Sequence, residues 1–156
     1  MRSLFLFAVL LSSLVGARAA DAVLAGVWPE WRSAESFERI SEYFGGGENP
    51  GRHRIVRTHA DARAGFYFLV RLGSAVVPAG AKFEVQVVAP DQPEPRQFAF
   101  SATAPAGEKV FELGLTGADW PGGEQSRPVA WRIALLTADG RVLAEQKSFL
   151  WENPAK

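Results

Sequence analysis

Between Gly65 and Leu150 apolar residues recur at every second position in run after run, and each run is cut off by proline and glycine. A chain written this way builds sheets. In GFYFLVRL (65–72), Phe66, Phe68, Val70 and Leu72 share one face while Tyr67 and Leu69 take the other, so both faces are apolar and the strand belongs inside the fold. KFEVQVVA sets Phe83, Val85 and Val87 against Glu84 and Gln86, which gives one dry side and one wet side. RQFAFSA, with Phe98 and Phe100, and KVFELGLT, with Phe111, Leu113 and Leu115, read as half-buried strands of the same kind. The last two runs, VAWRIALLT and RVLAEQKSFLW, flank Ala-Asp-Gly and predict a β-hairpin in which Asp139-Gly140 supplies two residues tolerant of positive φ.

Proline and glycine gather in 77–81, 89–96, 104–108 and 119–128, where they are expected to end the strands. The expected architecture is all-β: a single antiparallel β-sandwich of about seven strands. The run from Trp131 to Leu150 is similar in outline to the closing hairpin of fibronectin-type and immunoglobulin-like sandwiches. That resemblance spans about twenty residues and implies the fold alone. One segment breaks the pattern: in SAESFERISEYFGG, Phe37, Ile40 and Phe44 fall at helical spacing, with Ser33 available as N-cap and Gly45 just beyond. A short N-terminal helix over about 34–44 is therefore expected.

The first 19 residues read as a signal peptide: Arg2, a mainly apolar run from Leu4 to Val15, and Ala17-Arg18-Ala19 as the cleavage site. That run is about twelve residues, whereas a spanning helix needs roughly twenty. The expected division is 1–19 signal peptide, 20–51 an N-terminal segment with the helix and a Gly-rich turn, and 52–156 the sandwich, the last two forming one domain. Localisation is then periplasmic or secreted, with no membrane insertion after cleavage. The chain has no cysteine, so an exported form lacks disulfides and must be held by its apolar core. Acidic and basic residues balance at 17 each, and removing Arg2 and Arg18 leaves 15 basic against 17 acidic. That composition offers no basic face for nucleic acid; Arg52, Arg54 and Arg57 in GRHRIVRTH read as a solvated strand edge.

The stretch YFGGGENPGR (43–52) invites a phosphate-loop reading and fails it. Gly46 and Gly51 have the spacing, but Arg52 and His53 stand where Lys and Ser or Thr must grip phosphate and magnesium. Pro50 replaces the third glycine of the dinucleotide fingerprint. A helix stop followed by a turn is the expected role. His53 and His59, six apart on an extended chain, lie roughly 20 Å from each other and do not share a metal. Glu48, Asp61, Asp91 and Asp119 fall in expected loops without calcium-loop spacing. No nucleophile elbow or zinc-protease motif occurs. No catalytic, metal or cofactor residue is assigned. The candidate ligand contacts are Trp28, Trp31 and Trp120, which lie beside proline and outside the alternating runs. These features lead to an exported, non-catalytic β-sandwich module that binds or scaffolds, its partner an unidentified protein or glycan. The rival readings are a carbohydrate-binding module using those tryptophans and a small secreted hydrolase with a carboxylate pair.

Overall fold

The computed structural model describes residues 24–38, 53–73, 77–103 and 107–152. The signal segment, most of the expected helix and the Gly-rich turn lie outside these ranges. Eight strands form two four-stranded sheets: β1 (Leu24–Arg32), β2 (Arg54–Arg57), β3 (Gly65–Leu72), β4 (Lys82–Ala89), β5 (Gln92–Ser101), β6 (Val110–Thr116), β7 (Ala130–Leu136) and β8 (Val142–Lys147). One sheet has the order β1-β3-β6-β2 and the other β5-β4-β7-β8. The chain crosses between layers from β3 to β4, from β5 to β6 and from β6 to β7, which is the connectivity of an immunoglobulin-like sandwich. Every pairing is antiparallel except β2 with β6, which is parallel.

The alternating runs meet across the layers as their pattern requires. Phe66, Phe68 and Val70 of β3 and Phe111, Leu113 and Leu115 of β6 face Phe83, Val85 and Val87 of β4 and Ile133 and Leu135 of β7, all buried. The rings of Phe83 and Phe111 touch edge to face, with centroids 4.9 Å apart. At this geometry an aromatic pair adds about 0.5–1.5 kcal/mol beyond its buried area.

Three expectations need correction. The segment around residue 35 is a single 3-10 turn at Glu35–Phe37, and Glu38 is already extended with ψ 128°, so the expected helix does not start from this turn; the rest of its span, 39–44, lies outside the described residues. The Phe37 ring is buried beside Tyr67, 4.9 Å away, on the outer face of the first sheet, which anchors this turn. Trp28 and Trp31 lie within a strand, β1, despite Pro29. An edge strand tolerates a proline whose missing N–H would have faced solvent, and β5 accommodates Pro93 and Pro95 in the same way, so these prolines do not end their strands. In the β7–β8 turn only Gly140 has positive φ, 87°. Gly140 donates from its N–H to Thr137 O and Thr137 donates to Arg141 O, which makes a three-residue turn with a glycine bulge.

The outer face of the second sheet carries a chain of polar contacts across all four strands. Gln97 bonds Glu84 at 3.0 Å, Glu84 pairs with Arg132 at 3.2 Å, Arg132 with Glu145 at 2.8 Å, and Glu145 with Lys147 at 2.9 Å. The Lys147 hydrogen bond, helped by Arg132, holds the Glu145 carboxyl below its ordinary value. A carboxylate whose folded pKa is lowered stabilises the fold above its ordinary range and loses that contribution as pH falls through the lowered value. Glu145→Gln is therefore expected to change stability by no more than about 1 kcal/mol at pH 7 and to flatten the decline below about pH 4.5. Urea titrations of both proteins across that range check it. In the first sheet, a Cβ on Gly114 would stand 2.4 Å from the Tyr67 ring. Gly114→Ala should cost about 1–3 kcal/mol by overpacking, read as a lowered urea midpoint.

Candidate functional site

The strand directions bring the connections 58–64, 90–91 and 117–129 and the segment after β8 to one end of the sandwich, since Gly65 at the start of β3 pairs with Thr116 at the end of β6. Trp120 closes that end. A 3-10 turn at Gly117–Asp119, entered through Gly117 at φ 56°, swings its indole inward against Phe66, with ring centroids 5.3 Å apart. Its Nε1 donates to Ser126 O at 3.3 Å. Thr116 locks the neighbouring connection: its N–H donates to Thr58 Oγ1, its hydroxyl donates to His59 O, and it accepts from the His59 N–H.

Asp119 stands at the junction of three segments. Arg96 of β5 reaches it twice, Nη2 to Oδ1 at 2.8 Å and Nη1 to the backbone oxygen at 2.9 Å. His59 Nε2 meets the other carboxylate oxygen at 3.1 Å. Beside this junction a cleft of about 590 Å³ opens between the β4–β5 turn and the β6–β7 connection. Asp91, Gln92, Arg96, Asp119 and Ser126 give it polar groups, and Trp120 with its neighbouring prolines gives it a hydrophobic wall. Its size is that of a small-ligand or side-chain pocket.

No known protein family, curated protein or solved structure matches the chain.

The three candidate tryptophans do not form one platform. Trp120 is 4% exposed: it plugs the end of the sandwich and borders the cleft rather than standing out as an open ring. Trp28 and Trp31, three apart on β1, point to opposite sides of the sheet. Trp31 turns inward against the core and edges a shallow hollow with Glu30, Arg32 and Glu124. Trp28 is half exposed, its ring lying so close over Gly26 that a Cβ there would meet it at 2.4 Å.

The two histidines serve different acids, His59 pairing with Asp119 and His53 with Glu112. Among the described residues no three His, Asp or Glu side chains converge as a metal site; Glu48 lies outside them. Asp91 and Asp119 share the cleft, but both oxygens of Asp119 are engaged, whereas a carboxylate-pair hydrolase needs two acids open to substrate.

Glu112 was not among the residues singled out from the sequence. It is 5% exposed on the outer face of the first sheet. Arg32, at the end of β1, holds one oxygen at 2.5 Å, and His53, at the entry to β2, holds the other at 2.8 Å. One carboxylate thus grips both feet of the β1–β2 connection. Phe37 roofs the cluster, with the guanidinium groups of Arg32 and Arg57 lying 4.0 Å and 4.7 Å from its ring centroid. Arg57 also donates to Tyr67 Oη at 2.8 Å. The available signal was that the same face of β6 continues with small Gly114 and Thr116, which leaves room for a cover over an acid. Glu112→Ala should cost about 2–4 kcal/mol, since removing one partner of a buried pair strands the other, tempered here because Arg32 keeps some solvent contact. Equilibrium denaturation at pH 7 measures the loss.

Proposed function

We propose that this chain is an exported, non-catalytic binding module that receives a polypeptide segment of a partner protein in the cleft at its loop end. The observation that carries the reading is the cleft itself: an apolar wall made by the buried Trp120 next to the Asp119 junction, with hydrogen-bonding groups placed around it. A pocket with one apolar wall and a mixed polar rim suits an uncharged or weakly charged hydrogen-bonding chain rather than a polyanion. Its supports are internal. Arg96 and His59 hold Asp119, Thr116 holds the 58–59 backbone, and the remaining rim groups Asp91 and Gln92 belong to the short β4–β5 turn, so little ordering is needed on binding. The apparent export signal and the cysteine-free core fit a module that works outside the cytoplasm on packing alone.

A second reading, glycan binding, retains one residue in its favour: Trp28 presents a half-exposed ring on a strand. The two are separated by selection. Panning a phage-displayed library of random dodecapeptides should enrich clones whose binding drops at least about tenfold, roughly 1.4 kcal/mol, with Asp91→Ala plus Gln92→Ala. Absence of enrichment, or clones indifferent to those two substitutions, would sink the peptide reading. A tryptophan-fluorescence response to millimolar oligosaccharides that disappears with Trp28→Ala would establish the glycan reading in its place.

A further inference from the structure

Each sheet has two edges, and three of the four are protected against pairing with another strand. β1 carries Pro29, β5 carries Pro93 and Pro95, and β2 is four residues long with Arg54 and Arg57 at its ends. β8, Val142–Lys147, contains no proline, and no described strand pairs with its outer side. Of the five large hydrophobic side chains exposed among the described residues, three flank this strand: Val142 at its start, and Phe149 and Leu150 in the 3-10 turn just after it. Phe149 is 81% exposed.

Backbone geometry sets which groups are free. Ser148 donates its N–H to Trp131 O at 2.9 Å, and hydrogen-bonded pairs alternate along an antiparallel ladder. With Ile133 opposite Gln146 and Ala134 opposite Glu145, the backbone groups of Gln146 point to β7 and those of Glu145 and Lys147 point to the free edge. These same two residues carry opposite charges on the outer face.

We infer that β8 is a homodimerisation edge, pairing antiparallel with β8 of a second copy about a two-fold axis through Gln146, so that Glu145 of each copy lies opposite Lys147 of the other. Charge selects that register. An axis at Glu145 sets acid against acid, an axis at Lys147 sets base against base, and an axis at Ala144 brings Lys147 against the second copy's Arg141. Like charges directly opposite destabilise a pair, and opposite charges favour it. With the axis at Gln146, the outward backbone groups of Glu145 and Lys147 meet their counterparts as hydrogen-bonded pairs. The same axis carries Phe149 and Leu150 of each copy toward Leu143 and Val142 of the other, covering the exposed side chains that flank the strand. The contact is isologous and closes at two copies, turning the four-stranded sheet into one of eight. It uses a surface separate from the loop-end cleft and stands independently of what that cleft binds.

Sedimentation equilibrium of the mature chain tests this. The wild type should show a reversible monomer–dimer equilibrium. Lys147→Glu places four acids at the axis and should weaken the dimer about tenfold or more, since the mismatch occurs twice by symmetry. Adding Glu145→Lys in the same chain restores opposite charges and should recover most of the loss. Lys147→Pro removes an N–H that points away from β7 and should abolish the dimer while thermal melts remain cooperative. A wild type that stays monomeric to millimolar concentration overturns the inference. So does a dimer indifferent to both Lys147→Glu and Lys147→Pro, because its interface then lies elsewhere.

Discussion

The edge-to-face contact of Phe83 with Phe111 joins the inner faces of the two sheets toward the end of the sandwich opposite the cleft. A cysteine-free chain has no covalent tie between its layers, so side chains such as these carry the whole attachment of one sheet to the other. Nearer the loop end a second aromatic group joins the layers: Phe68 packs on Phe66 and Trp131, and Phe66 on Trp120, which closes that end. The position of the cleft follows directly. Its floor is the last member of the core, so its shape is set by packing rather than by the loops that border it.

Two carboxylates complete what the core begins. Asp119 ties β5, the β2–β3 connection and the β6–β7 connection together at the loop end, and Glu112 ties the two feet of the β1–β2 connection to the middle of the outer face. The two differ in exposure and therefore in consequence. Asp119 keeps a quarter of its side-chain surface in solvent and borders a cleft, where its charge can bear on a ligand. Glu112 is buried between Arg32 and His53 and serves the placement of β1 and β2.

Much of the sandwich was legible in single residues. The two apolar faces of GFYFLVRL correctly marked β3 as central, and its outward Tyr67 is indeed buried, beneath Phe37. The turn glycine at 140 was legible as well. β1 was hidden because Pro29 obscured its alternation, and only the strand's place at a sheet edge makes that proline harmless. The helical spacing that begins at Phe37 yields one 3-10 turn among the described residues, with the Phe37 ring packed on Tyr67.

Sequence alone determined that this chain forms sheets, which faces turn inward and where most strands end, because a period-two pattern and the missing proline N–H act over a few residues at a time. It also determined that no disulfide holds the layers. Only the tertiary structure decided that β2 pairs in parallel with β6, that Trp120 is a plug while Trp28 stands half in solvent, and that Arg96, His59 and Asp119 meet. Those outcomes join residues up to about sixty positions apart, and nothing in a local pattern records which distant segment closes over which face.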